Sequence, residues 1–314
     1  MTIVPGFLPR KLAGFEQSGQ KELIPINSET SLLAYLHWQE GVKSPLAIIL
    51  HGLEGSSQSS HVLGIGSKLY ASGFNVLRLN MRNCGGSAAY SKTLYNAGMW
   101  EDARDVMSFF HHSKGVDEFI LVGYSLGGNL LLNTASNHEG LNYEIKAACA
   151  VSPSIDLANS VAELEKPQNQ IYQNWFLRTM KARILAKAKQ YPETYDARKL
   201  KQIKSVRDFD EIYTAPHGGY GTADRYYHEA SSILQIRQIK CPTLILAAED
   251  DPLVPIDSFH RIDAQQSNIE ILITKAGGHG GFYQNSPEDD GIFDQFWAEN
   301  RVVEFIKEVS SIRS

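Results

Sequence analysis

The sequence predicts an α/β protein with a mostly parallel central sheet that is flanked by helices and interrupted by a helical insertion. Short apolar runs alternate with helix-like stretches from Pro45 to Ser152. This alternation stops for roughly eighty residues and then resumes near Pro242. We therefore expect a core formed by residues 1–152 and 238–314, with a helical cap at residues 153–237.

The composition is that of an ordinary globular chain. Its 314 residues are 43% hydrophobic and carry a formal net charge of -5, which gives no argument for nucleic-acid binding. Residues 1–20 lack the apolar core of a secretory signal, and no later run approaches the length of a membrane span. The three cysteines are far apart in sequence, which favours a reducing compartment. These features predict a cytoplasmic protein and leave its oligomeric state open.

The strands and helices follow from the spacing of apolar residues. Two alternating runs between Leu23 and His37, separated at residues 27–29, predict an antiparallel hairpin at a sheet edge. Compact apolar runs are typical of strands that are covered on both faces. The predicted core strands are residues 46–50, 76–79, 119–122, 147–151, 242–247 and 269–273. The predicted core helices are residues 59–71, 100–112, 127–136 and 293–309.

The insertion contains one long helical pattern. Ile171, Trp175, Met180, Ile184 and Ala188 recur at near-helical spacing. This spacing predicts one apolar face opposite a face rich in lysine and arginine.

The same segment carries an excess of positive charge. Between Arg178 and Arg207, ten lysines and arginines face only Glu193 and Asp196. Such a surplus could attract an anionic substrate, but we favour a solvated face of the cap.

A Gly-x-Ser-x-Gly pentapeptide, Gly123-Tyr124-Ser125-Leu126-Gly127, lies between an apolar strand and a predicted helix. A nucleophile on a sharp strand-to-helix turn needs neighbours without side chains, which glycine provides. The alternative is an ordinary turn rich in glycine and serine, but the placement favours a nucleophile. We therefore predict that Ser125 is the catalytic nucleophile.

Backbone amides for an oxyanion hole are expected at two places. The run Leu50-His51-Gly52-Leu53-Glu54-Gly55 follows the first parallel strand, and Leu126 follows the nucleophile. Leu53 and Leu126 are thus the predicted donors. His51 precedes Ser125 in the chain, which favours a structural role for it over that of catalytic base.

A candidate acid and a candidate base follow the last two predicted strands. Asp250-Asp251-Pro252 comes first and His279 second, so the chain order is Ser, Asp, His. An imidazole activates a serine hydroxyl, and a carboxylate orients the imidazole. His217 is the best rival for the base, but it precedes the aspartates.

The two aspartates compete for one role. Pro252 restricts Asp251 to an extended conformation at the strand exit, which favours Asp251 as the catalytic acid. Asp250 is the alternative acid, and it could instead accept hydrogen bonds from loop amides.

The motifs together resemble the α/β-hydrolase superfamily, and within it the YheT-like, ABHD-type branch of serine hydrolases. The matching segments are residues 51–56, 80–87, 123–129, 250–252 and 278–282, together with 209–215, 226–227 and 230–232 of the insertion. The resemblance implies an α/β-hydrolase fold and an esterase or lipase-type activity. Related eukaryotic proteins act on the acyl chains of phospholipids.

We accordingly expect a carboxylesterase or lipase-type serine hydrolase that forms an acyl-enzyme on Ser125, with a small-molecule ester or acyl lipid as substrate. Acyl transfer and phospholipase-type activity use the same triad and are the alternatives. A ligand-binding protein without activity is less favoured, because the triad is intact.

Aromatic residues are expected to form the substrate pocket. We expect Tyr124, Trp175 and Phe282 to contact the substrate. Tyr172, Phe176 and Tyr220 would wall an acyl pocket with Trp175.

No cofactor or metal is expected. The glycine-rich segment 83–87 lacks the lysine of a phosphate loop and the spacing of a dinucleotide site. The acids Glu288, Asp289 and Asp290 are interpreted as a solvated loop rather than a calcium site.

Overall fold

The computed structural model describes residues 8, 10, 12, 14–41, 43–262, 266–285 and 292–310. Glu288, Asp289 and Asp290, and residues 1–7 of the N-terminal segment, lie outside the described residues.

Eight strands form one sheet in the order β1-β2-β4-β3-β5-β6-β7-β8. The β1–β2 and β2–β4 pairs are antiparallel, and the remaining pairs are parallel. The predicted edge hairpin is confirmed, as are the six core strands, whose ends lie within three residues of the predicted ones. The strands are β1 (Gln20–Asn27), β2 (Thr30–His37), β3 (Leu46–Leu50), β4 (Asn75–Leu79), β5 (Glu118–Tyr124), β6 (Glu144–Val151), β7 (Thr243–Ala248) and β8 (Ile269–Thr274).

Helices cover both faces of the sheet. The last helix begins at Trp297 and not at residue 293, because the Asp294 carboxylate accepts a hydrogen bond from the Phe296 amide and holds a local turn there. The helices are α1 (Phe15–Ser18), α2 (Ser60–Ala71), α3 (Glu101–Lys114), α4 (Leu126–Ser136), α5 (Leu157–Leu164), α6 (Gln170–Gln190), α7 (Val206–Phe209), α8 (Ala215–His217), α9 (Ala223–Ala230), α10 (Asp257–His260) and α11 (Trp297–Val309).

The insertion between β6 and β7 shares its apolar core with the sheet. Helices α5 to α9 lie in this insertion. Their buried residues, such as Ile184 and Tyr227, belong to the same apolar cluster as Leu130 of α4 and Val106 of α3. A second cluster, on the other face of the sheet, contains α2 and α11. Strands β3, β4 and β7 lie between these layers and are buried along their whole length, as expected for strands that helices cover on both faces.

Helix α6 does not bury the predicted apolar face. Met180 and Ile184 are buried, but Ile171 is 75% exposed and Trp175 is 52% exposed. The prediction was wrong at these two positions because nine residues from Ile171 to Met180 make two and a half turns, which places them on opposite sides of the helix. Gln173 and Leu177 complete the buried side instead.

The positive charges of the insertion are also not all solvated. Lys187 is buried, and its ammonium donates hydrogen bonds to the backbone carbonyls of Ala88 and Ser91. The side chain of Arg183 is 15% exposed and pairs with Glu54. The prediction of a solvated basic face was therefore wrong at Lys187 and Arg183, which join the insertion to the core.

A buried asparagine joins the start of α4 to two other segments. Asn129 is fully buried, and its amide nitrogen donates to the carbonyls of Ala97 at 3.2 Å and Ala230 at 2.9 Å. Its side-chain oxygen accepts the Ser232 amide at 2.8 Å. The Ala230 carbonyl also accepts from the Asn133 side chain, so the Ala97 carbonyl and the Ser232 amide are the buried backbone groups that depend on Asn129.

We predict that Asn129→Ala lowers the free energy of unfolding by about 2–4 kcal/mol, because it leaves buried backbone groups unpaired. Asn137→Ala, at the C-cap of the same helix and half-buried, is the control and should cost less than about 1 kcal/mol. Urea denaturation of both variants measures the difference. Equal losses would show that Asn129 does not have this structural role.

Candidate active site

Ser125 occupies a strained bend between β5 and α4. Its backbone has φ 52° and ψ −119°, a conformation that non-glycine residues rarely adopt. A Cβ atom at Gly123 would lie 2.4 Å from the Gly127 carbonyl oxygen, and one at Gly127 would lie 2.3 Å from that of His51. Only glycine therefore allows the strand and helix to approach this closely. The Ser125 amide donates to the Val151 carbonyl at 2.9 Å, which anchors the bend to β6.

The structure brings Ser125, His279 and Asp251 together. The His279 Nε2 atom lies 2.8 Å from the Ser125 Oγ atom. Nδ1 of the same ring lies 2.9 Å from the Asp251 Oδ2 atom and 3.1 Å from Oδ1. The side chains of His279 and Asp251 are 14% and 2% exposed. Chemically, this arrangement can transfer a proton from the hydroxyl to the ring while the carboxylate orients the ring.

Asp251 is held as a carboxylate. Its Oδ1 atom accepts the amides of Leu253 at 2.8 Å and Val254 at 3.1 Å. Burial alone raises the pKa of Asp251. The charge of His279 and the hydrogen bonds from its ring and from these amides outweigh burial, so the pKa lies below its ordinary value of 3.8.

Asp250 makes different contacts from its neighbour. Its Oδ1 atom accepts the amides of Gly277 and Gly278, both at 2.8 Å. These glycines precede His279, so Asp250 fixes the loop whereas Asp251 contacts the ring.

The predicted oxyanion donors flank Ser125. Gly52 lies so close to Ser125 that a Cβ atom there would be 3.2 Å from the serine Cβ atom. Leu53 follows Gly52, and Leu126 opens α4, where helix amides lack intrahelical acceptors. Among the described residues, neither the Leu53 nor the Leu126 amide has a protein acceptor. Both are thus available for a negatively charged oxygen.

An ion pair connects α6 to the loop after β3. Arg183 lies 2.8 Å from the Glu54 carboxylate and also donates to the Asn83 carbonyl in the loop after β4. The Tyr95 hydroxyl donates to Glu54 at 2.8 Å and accepts its amide at 3.0 Å. Glu54 directly follows Leu53, so α6 helps to fix the orientation of the predicted oxyanion donor.

The other histidines near the site have structural contacts. His51 is fully buried, its Nε2 atom accepts the Met81 amide at 3.2 Å, and burial lowers its pKa to about 4. It thus joins two loops as a neutral ring, in line with the structural role predicted for it. His217 lies in the insertion, with its ring centroid 4.7 Å from that of Tyr195.

A cavity opens onto Ser125, and two of the three predicted substrate contacts line it, namely Tyr124 and Trp175. Phe282 does not, because its ring packs in the core, with its centroid 6.0 Å from that of Trp297. Among the proposed cap aromatics, Phe176 lines the cavity, whereas Tyr172 and Tyr220 do not. The remaining lining residues are Arg10, Gly52, Leu53, Gly55, Ser59, Ser60, His61, Val151, Ser152, His279, Gly280 and Gly281.

Two cavity residues escaped the sequence reasoning. Ser152 has a left-handed backbone with φ 45°, and its hydroxyl accepts the Gly280 amide at 3.2 Å. Its position directly after β6 could have indicated it, because strand ends meet at this edge. The His61 ring lies against that of Tyr124 in a tilted contact, with centroids 4.4 Å apart, and burial with nearby positive charge lowers the pKa of His61 to about 3. No sequence pattern distinguished His61 from a packing residue.

A second, small cavity lies between the insertion and the core. Leu53 and Leu126 line it, Trp175 does not, and its walls are mainly apolar. A π-helical turn, Asp210–Thr214, brings Asp210 to its wall. Other lining residues are Glu54, Leu94, Tyr95, Asn96, Leu157, Val161, Met180, Arg183, Val206, Phe209, Thr214, Tyr226 and Tyr227.

Asp210 gives this wall a titratable group. It is 6% exposed and accepts a hydrogen bond from the Tyr227 hydroxyl at 2.8 Å. Burial raises its pKa from 3.8 to about 6. Because the pKa is higher in the folded state, the stability that Asp210 contributes is complete below about pH 4 and is lost as the pH rises through 6.

We predict that Asp210→Asn removes this titration while the amide oxygen keeps the Tyr227 hydrogen bond. The free energy of unfolding of the wild type, relative to the variant, should fall by about 3 kcal/mol between pH 4 and pH 8. Denaturant titrations across this range measure it. Parallel pH profiles for the two proteins would contradict the prediction.

Comparison with known proteins identifies the family. A family model for the alpha/beta hydrolase fold matches residues 45–286. The chain therefore belongs to the α/β-hydrolase family. Its relatives place it in the YheT-like, ABHD-type branch, as the motifs predicted.

Three relatives show the range of this branch. The chain is 30% identical over 264 residues to "Putative esterase YheT" of Escherichia coli, covering 83% of this chain and 76% of that protein. It is 33% identical over 251 residues to a monoacylglycerol lipase of Saccharomyces cerevisiae, covering 77% of this chain and 55% of that protein. It is 28% identical over 267 residues to phospholipase ABHD3 of Bos taurus, covering 83% of this chain and 65% of that protein. The chain thus spans less than two thirds of the last two proteins.

Solved structures share the fold. Esterase Pf2001 of Pyrococcus furiosus superposes with a TM-score of 0.60 at 19% identity, covering 96% of this chain and 98% of that one. Within the described part of the chain, no helix has both the length and the apolar composition that crossing a membrane requires.

Proposed function

We propose that the protein is a serine hydrolase of the carboxylesterase and lipase type, with Ser125 as nucleophile, His279 as base and Asp251 as acid. The observation that carries the proposal is the continuous contact from the Ser125 Oγ atom through His279, at 2.8 Å, to Asp251, at 2.9 Å. The relatives named as an esterase, a lipase and a phospholipase support an ester or acyl lipid as substrate.

The reaction begins when the Ser125 oxygen attacks the carbonyl carbon of an ester and His279 takes the hydroxyl proton. The negative charge that develops on the carbonyl oxygen is stabilised by the Leu53 and Leu126 amides and by the positive end of α4. His279 then gives its proton to the leaving alcohol, which yields an acyl-enzyme. Water, activated by the same ring, releases the carboxylic acid.

We predict that Ser125→Ala lowers kcat for p-nitrophenyl esters by roughly 10⁴-fold or more and abolishes labelling by a fluorophosphonate probe. Asp251→Asn should lower kcat by roughly 10⁴-fold, because the carboxylate that orients the ring is lost. Asp250→Asn is the matched control. Its amide oxygen still accepts from Gly277 and Gly278, so a loss of roughly tenfold is expected.

Two outcomes would contradict the proposal. Unchanged hydrolysis and labelling in Ser125→Ala would exclude this serine as the nucleophile. A larger loss in Asp250→Asn than in Asp251→Asn would reverse the two aspartate assignments.

Residues 153–237 act as a cap in this proposal, and the apolar cavity beneath them takes the acyl chain. The cavity adjoins both proposed oxyanion amides, which a bound carbonyl oxygen must approach. The cavity that contains Trp175 and His61 then takes the alcohol. The free, buried cysteines Cys84, Cys149 and Cys241 support a reducing compartment such as the cytoplasm.

Met180 tests the acyl cavity. We predict that Met180→Trp fills it and lowers kcat/KM for long-chain relative to butyrate esters by roughly tenfold, whereas Met180→Ala shifts the preference towards longer chains. Measurements on p-nitrophenyl esters of increasing chain length give the ratios. An identical chain-length profile in all three proteins would place the acyl chain elsewhere.

A further inference from the structure

The outward side of α6 carries a line of exposed apolar side chains. Ile171, Trp175 and Leu185 are 75%, 52% and 49% exposed, so this one helix carries three of the six large apolar side chains that are exposed among the described residues. Their spacing places them along one line of the helix, together with Ala182. We name this line, with Arg178 and Lys189, the outer stripe.

The outer stripe is positively charged as well as apolar. Helix α6 has 21 residues and contains no aspartate or glutamate. Of its cations, Lys181 donates to the Ile203 carbonyl, and Arg183 and Lys187 contact the core. Arg178 and Lys189 are exposed on the outward side.

The outer stripe reaches the proposed active site. Trp175 is both a member of the stripe and part of the wall of the Ser125 cavity. Its ring contacts Phe176, with centroids 5.0 Å apart, and Phe176 lines the same cavity. A surface that covers the stripe would therefore lie at the entrance to Ser125.

We propose that the outer stripe docks the protein on an anionic lipid surface. A helix with apolar side chains, a tryptophan and flanking cations on one face is suited to lie in the headgroup region of a bilayer. A second copy of the chain fits less well, because a symmetric contact would bring Arg178 and Lys189 close to the same cations of the partner. The link to catalysis rests on the proposed function, since acyl lipids would reach Ser125 past Trp175.

Vesicle binding tests the proposal without catalysis. The Ser125→Ala protein is sedimented with phosphatidylcholine vesicles, with and without phosphatidylglycerol. We predict tighter binding to the anionic vesicles. Ile171→Ser and Leu185→Ser should each weaken binding about tenfold, and Arg178→Gln and Lys189→Gln about fivefold, on anionic vesicles only.

Matched controls lie elsewhere on the surface. Leu234, 53% exposed, is replaced by serine, and Lys240, 66% exposed in its side chain, by glutamine. Neither control should change vesicle binding. Binding that is equal in all variants, or is lost as much in the controls, would overturn the proposal. Concentration-dependent dimers in sedimentation velocity that Ile171→Ser abolishes would overturn it in favour of a dimer surface.

A second readout separates this proposal from the proposed function. In the protein that keeps Ser125, Ile171→Ser should hydrolyse a water-soluble butyrate ester like the wild type but act at least fivefold more slowly on the same acyl group presented in anionic vesicles. An equal rate on vesicles would overturn the docking proposal alone. A wild type that binds vesicles but hydrolyses no ester would overturn the proposed function alone.

Discussion

The strained backbone of Ser125 is the constraint on which the rest of the site depends. The bend must hold φ 52° in a residue that carries a side chain. It is held by close contact with Gly123 and Gly127, by the hydrogen bond to Val151 in β6 and by the start of α4. Because these elements are rigid and buried, the serine oxygen is fixed at the sheet edge before any ligand arrives.

Backbone strain is concentrated at this edge. Among the described residues, all five non-glycine residues with positive φ lie in loops that follow a strand of the sheet. Strained conformations persist only where the surroundings determine them, and they cluster at functional sites. The five residues are Glu54, Asn83, Ser125, Ser152 and Phe282.

The sequence was sufficient for the sheet and for the positions of the proposed triad, because compact strands and the Gly-x-Ser-x-Gly bend are local patterns. It did not decide between Asp250 and Asp251, since both occupy the same loop and only the three-dimensional course of the chain shows which one reaches His279. It also misplaced Phe282, because an aromatic residue beside His279 can turn into the core as easily as towards a substrate.

The insertion was the least predictable part. Its apolar residues lie on two surfaces, one buried and one exposed. Ile171 and Met180 are both apolar, but Ile171 faces outwards and Met180 faces the core. Its cations likewise divide between buried contacts and solvent. Lys187 is buried because backbone carbonyls of the core receive its ammonium, an interaction with no counterpart in local sequence. The periodicity of a sequence therefore predicts the presence of a helix more reliably than it predicts which side of the helix is buried.

The pairing of Arg183 with Glu54 limits how freely such insertions can be exchanged between related proteins. The Glu54 side chain is 4% exposed, so a grafted insertion without a cation at this point would leave a buried carboxylate uncompensated, at a cost of about 3–5 kcal/mol. A chimera would have to supply that charge or replace the glutamate as well. The two segments, 129 positions apart in the chain, are therefore expected to have changed together during divergence.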